Sequence, residues 1–426
     1  MNLEQANFAG KKLLILSGCG SQCKLVAAAK QMGVYTVVAD YFPPSMASPA
    51  KLLADESWME SLLDIDALVE RCKREHIHGV LAGWSDISQI PYYKICERLG
   101  LPCHGTEAQF YKMTNKKAFK QLCMECGMDV IDEYSLEDAE NGNVVYPVFV
   151  KPVDGRGSKG QSVCYTHEEL KKAIALARKE SSSGDVIIEH YVSNTNSFQV
   201  TYFFVNGEAY LLRTTDGYKG TLEDKLDRVA LCTVSPSVYT EKFMEVANKN
   251  FVKMMKKIGY QNGPAMAQAF YDNGVFRFYD PGLRFPGVDY EITYKKIYNI
   301  DFMKAMVCFA LTGKMPEMDL HNSNVYLEGK KGVVLFPTLA AGVIGTINGF
   351  DRIEQDGHVL SVQRRYAAGD RVKWTYTTRQ RLAEINLLCD GERDMKEAIR
   401  NVQSWVDVKD DAGKDMLYMP FDAERI

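Results

Sequence analysis

The chain has 426 residues, with 51 Lys and Arg against 55 Asp and Glu and a formal net charge of −4. This length predicts two to four domains, each with its own core. The charges are mixed and form no basic block, which argues against a nucleic-acid-binding surface. No stretch approaches the ~20 continuous apolar residues of a transmembrane helix, so we predict no membrane partner.

The N-terminus and the cysteines favour a cytoplasmic location. Met1 to Gln5 lack the basic region and apolar core of a secretion signal. The 11 cysteines are odd in number and lie mostly in apolar segments, which favours reduced, buried thiols. Cys123 and Cys126 have redox or zinc spacing, but no second pair lies nearby, and the 7 histidines form no ligand cluster.

The first hundred residues alternate between strand and helix. The pattern predicts strands at 12–17, 34–39, 79–83 and 101–103, and helices at 23–32, 64–76 and 90–99. This alternation indicates a doubly wound parallel sheet, whose ligands lie beyond the carboxyl ends of the strands. The turn Gly18-Cys19-Gly20 and the segment Gly83 to Asp86 should share that rim, where Ser85 and Asp86 either face a substrate or cap a helix.

A rival interpretation of the same segment is a dinucleotide site. A strand, a glycine turn, a helix and then Asp40 after a second strand follow the order of the Rossmann fingerprint. The match is incomplete because Cys23 stands where the third glycine belongs.

A phosphate-binding loop is predicted in the middle of the chain. The strand Tyr146 to Pro152 carries Lys151 near its end, and the next segment holds Gly155, Arg156, Gly157, Ser158, Lys159 and Gly160. Glycines let backbone N–H groups turn towards an anion, and the cations add charge. A return strand near 163–165, a helix over 168–180 and a strand from Val186 to Glu189 follow.

This order resembles the nucleotide-binding subdomain of the ATP-grasp superfamily. The resemblance implies that Lys151 and the loop from Gly155 to Gly160 hold ATP phosphates. It also implies that the Glu189 side chain accepts from the adenine amino group, while the backbones of His190 and Val192 contact the ring. The helix start Asn115-Lys116-Lys117-Ala118-Phe119-Lys120 resembles the family's Asp-Lys-x-x-Phe-Lys signature, which makes Lys116 a further phosphate ligand.

A second constellation lies on a predicted hairpin. Two strands flank the turn Asp272-Asn273-Gly274, which places Gln268 and Asp280 on neighbouring strands. ATP-grasp enzymes place an acid on the first strand and Glu-x-Asn-Pro-Arg on the second. Here Gln268, Asp280, Gly282 and Leu283 replace the acid, Glu, Asn and Pro, and Arg284 is retained. The resemblance implies Mg²⁺ held by Asp280 and Gln268, and a catalytic Arg284 that binds the transferred group; the alternative is that Arg284 pairs with Asp289 or Glu291.

The remaining segments are predicted as long helices and a small terminal domain. We predict single helices over 240–258 and 294–311, strands over 333–336, 342–347, 359–365 and 371–377, and a helix over either 378–389 or 393–406. The segment from Gly342 to Phe350 resembles the opening of the biotin carboxylase C-terminal domain, which supports the active site or a dimer contact in that family. A homodimer is therefore one predicted assembly.

The combined prediction is an α/β and α+β protein of three parts. An N-terminal doubly wound parallel βα domain spans 1–112, a central ATP-grasp core spans 113–330 with its nucleotide-binding subdomain near 145–192, and a small C-terminal α+β domain spans 331–426. The resemblance implies a magnesium- and ATP-dependent ligase that joins a small-molecule carboxylate to an amine through an acyl-phosphate. Two alternatives are an enzyme that activates bicarbonate or carbamate, and a nucleotide-binding protein without catalysis whose metal site has decayed.

Overall fold

The computed structural model describes residues 6–45, 47–153, 160–181, 183–192, 197–221, 227–287, 290–375 and 378–426. Of the helices in these ranges, none combines the length and the apolar character needed to cross a bilayer. The helices are α1 (Cys23–Gln31), α2 (Pro49–Leu53), α3 (Ile65–Arg74), α4 (Asp86–Leu99), α5 (Glu107–Lys112), α6 (Lys116–Glu125), α7 (Leu136–Asn141), α8 (His167–Glu180), α9 (Thr240–Val246), α10 (Asn248–Lys257), α11 (Tyr290–Tyr298), α12 (Phe302–Thr312), α13 (Phe350–Glu354) and α14 (Glu392–Trp405).

The strands form one parallel sheet and several antiparallel ones. They are β1 (Lys12–Leu16), β2 (Tyr35–Ala39), β3 (Glu56–Trp58), β4 (Gly79–Leu81), β5 (Val148–Pro152), β6 (Ser162–Cys164), β7 (Val186–His190), β8 (Ser197–Val205), β9 (Glu208–Thr221), β10 (Asp227–Ser235), β11 (Gly263–Asp272), β12 (Val275–Gly282), β13 (Lys331–Leu335), β14 (Thr338–Leu339), β15 (Gly342–Asn348), β16 (Val359–Arg364), β17 (Arg371–Val372), β18 (Ala383–Cys389), β19 (Asp407–Asp410) and β20 (Leu417–Tyr418).

The N-terminal region is the predicted doubly wound parallel sheet. Its four strands run in the order β3-β2-β1-β4, and every neighbouring pair is parallel. On β1, Leu14 and Leu16 pack towards α3 and α4, whereas Leu13 and Ile15 pack towards α1 and α12. Helices therefore cover both faces, which is why these strands are apolar throughout.

The middle of the chain forms two antiparallel sheets. A three-stranded sheet of order β6-β5-β7 is covered on one face by α8. An eight-stranded sheet runs β12-β11-β8-β9-β10-β13-β18-β16. Its last three strands lie beyond residue 330, so the large sheet continues across the predicted domain boundary.

The two faces of the eight-stranded sheet differ in polarity. On β8, Phe198 and Tyr202 are buried against Phe243 of α9 and Phe251 of α10, with ring centroids 5.4 Å and 4.6 Å apart. The alternating residues Gln199 and Thr201 lie on the opposite face, because successive side chains of a strand point in opposite directions. This polar face contacts the glycine turn at the rim of the parallel sheet. Gln363 of β16 lies against Gly20 so closely that a Cβ on Gly20 would be 1.8 Å from its Nε2.

Three predicted elements are wrong for identifiable reasons. The strand at 101–103 is absent because Gly100 is left-handed (φ 65°) and the Leu101 amide donates to the carbonyl of Cys96, which closes α4. The helix over 294–311 is two helices, since Asn299 adopts φ 55° and the Asp301 side chain caps α12 by accepting from the Lys304 amide.

The helix over 240–258 is also divided. Ala247, with φ −125°, separates α9 from α10. Of the two alternatives for the last helix, α14 matches 393–406, and residues 383–389 of the other form the strand β18.

Candidate active site

The face of the three-stranded sheet that is predicted to bind the nucleotide can be identified from the strand register. Phe149 pairs with Glu189 and Lys151 with Ile187 across β5 and β7. Val148, Val150 and Ile188 pack beneath α8. The alternation of β5 therefore places Phe149 and Lys151 on the other face, together with Glu189.

Glu189 joins two lysines in a buried ion-pair cluster. Its Oε2 accepts from Nζ of Lys151 at 2.5 Å, and its Oε1 accepts from Nζ of Lys120 at 2.6 Å. The three residues are 2%, 7% and 6% exposed, respectively. Lys120 also donates to the carbonyl of Ile131 at 3.1 Å and pairs with Glu133.

The charges in this cluster shift one another's pKa values. Burial works to raise the pKa of Glu189, but the charges of Lys151 and Lys120 outweigh it and lower that pKa. Burial lowers the pKa of Lys151 even though Glu189 opposes the shift. A buried carboxylate paired in this way stays ionised and orients the lysines around it.

Lys120 is a site residue that the sequence reasoning missed. It lies four residues after Lys116 on α6, and residues at i and i+4 share one face of a helix. The spacing of Lys116 and Lys120 could therefore have indicated that both lysines face the same site. The Asn115 side chain caps α6 by accepting from the Ala118 amide at 3.0 Å.

The predicted hairpin places Gln268 directly opposite Asp280. The two residues are register partners on β11 and β12, with a bulge immediately after Gln268. The Tyr279 hydroxyl donates to Oε1 of Gln268 at 2.8 Å. Asp280 remains partly exposed, and its side-chain carboxylate accepts no hydrogen bond from the residues that the structure describes.

The Asp280 carboxyl is influenced by charged groups from other elements, among them Lys116 of α6 and Lys151 of β5. Burial raises the pKa of the Asp280 carboxyl; the charges of Arg284, Lys116 and Lys151 act in the opposite direction, but the net shift is upward. Because such an effect requires proximity, Lys116 of α6 and Lys151 of β5 lie in the neighbourhood of Asp280.

Arg284 pairs with neither of the carboxylates considered from the sequence. It pairs with Asp86, the first residue of α4, through Nε to Oδ1 and through Nη2 to Oδ2 at 2.8 Å. Glu291 pairs with Lys24 instead, and Asp289 lies outside the described residues. Ser85 precedes α4 without a side-chain cap.

Gly282 makes room for this arginine. A Cβ at that position would lie 3.0 Å from Cγ of Arg284 and 3.4 Å from Oδ1 of Asp86. The replacement of the family's asparagine by Gly282 is thus linked to the Arg284–Asp86 pair.

The remaining predicted nucleotide contacts are located only in part. Gly155, Arg156, Gly157, Ser158 and Lys159 lie outside the described residues, whereas Gly160 follows them with φ 69° and faces Pro152. The His190 amide donates to the carbonyl of Asp132 at 2.9 Å. The Val192 amide has no hydrogen-bond partner among the described residues.

The N-terminal glycine turn does not support the dinucleotide interpretation. Oδ2 of Asp40 accepts from the Gly18 amide at 2.9 Å, and Oδ1 accepts from the Phe42 amide at 2.8 Å. Asp40 is only 7% exposed, so this carboxylate holds the turn closed and is not presented to a ribose.

The donor set suits a magnesium ion that also binds phosphate. Among the residues that can be described, no group of three His, Cys, Asp or Glu side chains converges as a metal site. Asp280 and Gln268 together offer carboxylate and amide oxygens, which Mg²⁺ accepts when a substrate completes its coordination.

Comparisons with known proteins agree with this geometry. The family model described as the carbamoyl-phosphate synthase L chain, ATP binding domain, matches residues 112–278. The α subunit of mitochondrial methylcrotonoyl-CoA carboxylase from Dictyostelium discoideum is 27% identical over 212 residues, which cover 45% of this chain and 30% of that protein. The chain thus spans under a third of the length of this relative.

Two solved structures have the same fold over nearly the whole chain. The L-amino acid ligase from Bacillus licheniformis has a TM-score of 0.76 at 17% identity, covering 95% of this chain and 100% of that one. The biotin carboxylase domain of Hydrogenobacter thermophilus 2-oxoglutarate carboxylase, a dimer with MgADP, ADP and bicarbonate, has a TM-score of 0.74 at 17% identity, covering 96% and 91%. The fold is therefore shared with an L-amino acid ligase and a biotin carboxylase, and residues 112–278 are similar to a carbamoyl-phosphate synthase ATP binding domain. These similarities agree with the predicted resemblance to the ATP-grasp superfamily.

Proposed function

We propose that the protein is an ATP-dependent ligase that activates a carboxylate as an acyl-phosphate and passes it to an amine. One observation carries this proposal: Lys116 on α6 and Lys151 on β5 lie close enough to Asp280 on β12 for their charges to act on its carboxyl. Lysines on one side would bind the phosphates of ATP, and a carboxylate on the other side would bind the magnesium ion that accompanies them.

Lys116 and Lys151 would bind the phosphates of ATP. The ion-pair cluster joins Lys120 and Lys151 to Glu133 and Glu189, and Lys116 lies near enough for its charge to act on Lys151. The Glu189 carboxylate would hold both buried ammonium groups in place. Its predicted contact with the adenine amino group stays a prediction, and so does the hinge contact at Val192, which is supported by an amide without a hydrogen-bond partner among the described residues.

Asp280 and Gln268 would hold Mg²⁺, which neutralises phosphate charge when it is bound. Arg284 keeps further N–H donors beyond the three that contact Asp86 and Phe285. Those donors would bind the oxyanion that develops during transfer. Asp86 would act as a positioning residue for that guanidinium.

Activation of bicarbonate is the second candidate function. It is supported by the named relative, a carboxylase, and by the neighbouring structure that holds bicarbonate. The same neighbour is a dimer, which supports a homodimer as the proposed assembly.

Phosphate release separates these functions. We would first titrate ATP with Mg²⁺ by calorimetry and then measure released phosphate over amino acids, other amines and bicarbonate. The proposed ligase requires release that depends on both a carboxylate and an amine. Release with bicarbonate alone would favour the second function, and nucleotide binding without turnover would favour the non-catalytic alternative.

A further inference from the structure

Two cysteines lie close together at the end of α4. Cys96 is in the last turn of the helix and is fully buried, whereas Cys103, on the segment that follows, is partly exposed, and both are free thiols. The Leu101 amide donates to the carbonyl of Cys96 at 2.9 Å, which turns the chain back over the end of the helix. The Cys96 thiol donates a hydrogen bond to the sulfur of Cys103, and both side chains pack into the same apolar core.

The two thiols differ in reactivity. Burial works to raise the pKa of the Cys103 thiol, but hydrogen bonds from Cys96 and from the Gly105 amide outweigh it and lower that pKa. Burial raises the pKa of Cys96 well above its ordinary value. Because the thiolate is the nucleophilic form and reaction also needs exposure, Cys103 is the thiol that meets an oxidant first. Cys96 is then the neighbour that can react with the oxidised sulfur.

The cysteines with redox spacing in the sequence, Cys123 and Cys126, do not share these properties. They are 0% and 1% exposed, and the Cys123 thiol donates to the sulfur of Met254 at 3.9 Å. Burial also raises the pKa of Cys123. The structure therefore favours a different pair from the one that sequence spacing indicates.

The segment that carries Cys103 is connected to the proposed reaction centre through the next residue. The His104 amide donates to the Tyr92 hydroxyl of α4 at 3.2 Å, and Nε2 of His104 lies 3.0 Å from the carbonyl of Leu283. Leu283 precedes Arg284 in the chain. A bond that draws Cys103 towards α4 therefore shifts His104 relative to both contacts.

We propose that Cys103 and Cys96 form a reversible disulfide when the protein meets a peroxide, and that this bond displaces His104 and with it Arg284. The Cys103 thiolate attacks one peroxide oxygen, the O–O bond breaks, hydroxide leaves, and Cys103 becomes a sulfenic acid. The Cys96 sulfur then attacks the Cys103 sulfur, the S–O bond breaks, and the oxygen leaves as water with the Cys96 proton. In total two thiols are oxidised and one hydrogen peroxide is reduced to two molecules of water. The effect on Arg284 rests on the proposed function, whereas formation of the disulfide does not.

Tryptic peptides reveal the disulfide directly. Arg98 lies between the two cysteines, so trypsin places Cys96 and Cys103 on separate peptides that only a disulfide joins. Folded wild-type protein treated with hydrogen peroxide and then alkylated should yield the joined peptides, and dithiothreitol should separate them. Cys96→Ala and Cys103→Ala should each lack them. The control Cys19→Ser, which removes an exposed cysteine, should retain them.

Phosphate release tests the effect on Arg284. Peroxide should lower the kcat of the wild type and of Cys19→Ser roughly hundredfold, because a displacement of about 1 Å near reacting groups can cost that much. The Kd of ATP should not change, and dithiothreitol should restore kcat. Cys96→Ala, in which Cys103 can be oxidised but not joined, should keep its own kcat in peroxide.

The outcomes separate the disulfide from the reaction. Absence of joined peptides from folded wild-type protein would overturn the proposal. Joined peptides with undiminished kcat would overturn the effect on Arg284. Joined peptides in a protein that releases no phosphate with any acceptor would support the disulfide and overturn the proposed function instead.

Discussion

At the scale of single residues, Glu189 is the group on which the nucleotide face depends. Two buried ammonium groups, those of Lys120 and Lys151, share its carboxylate. Removing one partner of a buried ion pair leaves an uncompensated charge, which costs about 3–5 kcal/mol. We expect Glu189→Gln to lower the free energy of unfolding by about that amount in urea titrations.

A surface pair supplies the control for that substitution. Glu168 and Lys172 form an exposed ion pair on α8, 3.5 Å apart. Glu168→Gln should change the free energy of unfolding by less than about 0.5 kcal/mol. Equal stability of the wild type and Glu189→Gln would show that Glu189 does not hold the lysines.

Gly282 is a second residue whose identity matters. An asparagine there would meet the Arg284 side chain, so Gly282→Asn should break the Arg284–Asp86 pair and reduce phosphate release at least tenfold. Gly287→Asn is the control, since no described atom lies within 4 Å of its Cβ position. A Gly282→Asn enzyme with wild-type or higher activity would mean that the family's asparagine restores a ligand here.

At the scale of elements, His104 ties the segment before α5 to the end of β12. Its Nε2 lies 3.0 Å from the carbonyl of Leu283, the residue before Arg284, and its Nδ1 lies 3.2 Å from the Tyr92 hydroxyl. Burial lowers the pKa of His104 to about 4. The neutral His104 ring therefore helps to fix the backbone at Leu283, next to Arg284.

That pKa predicts a pH dependence of stability. Between about pH 6.5 and pH 4 the unfolded chain binds a proton at His104 that the folded chain does not, so stability falls as the pH falls, by about 3 kcal/mol. Asp216 acts in the opposite direction, because burial raises its pKa to about 6. The measurement is therefore the difference in unfolding free energy between the wild type and His104→Gln across this range. A difference that does not change with pH would contradict the assignment.

Sequence patterns predicted the elements best where one face of a strand or helix is buried. Strands β5, β7, β11 and β12 all follow from alternation and turn residues, and so do the positions of Lys151, Gln268 and Asp280 on them. The break between α11 and α12 could have been predicted, because asparagine tolerates a left-handed conformation and aspartate often caps a helix. The apolar periodicity of 294–311 instead favoured one continuous helix. The Arg284–Asp86 pair could not be predicted, because its residues are 198 positions apart and meet only when β12 docks on α4.

At the scale of the whole molecule, the large sheet crosses the predicted boundary at residue 330. Strand β13 pairs with β10 on one side and with β18 on the other. A fragment of residues 1–330 would expose the edge of β10 and the apolar residues beneath it, and exposed strand edges favour aggregation. We expect this fragment to be unfolded or aggregated in circular dichroism and size-exclusion experiments; cooperative unfolding with retained ATP binding would instead establish an independent domain.

At this scale, the proposed function requires that the three-stranded and eight-stranded sheets enclose one nucleotide. The most direct measurement is a calorimetric titration of ATP with Mg²⁺ into the wild type, Lys151→Ala and Lys171→Ala, the last being an exposed lysine of α8. Loss of a charge-assisted contact should raise the Kd of Lys151→Ala at least about tenfold, while Lys171→Ala should match the wild type. An unchanged Kd in Lys151→Ala would contradict the placement of the phosphates between Lys151 and Asp280.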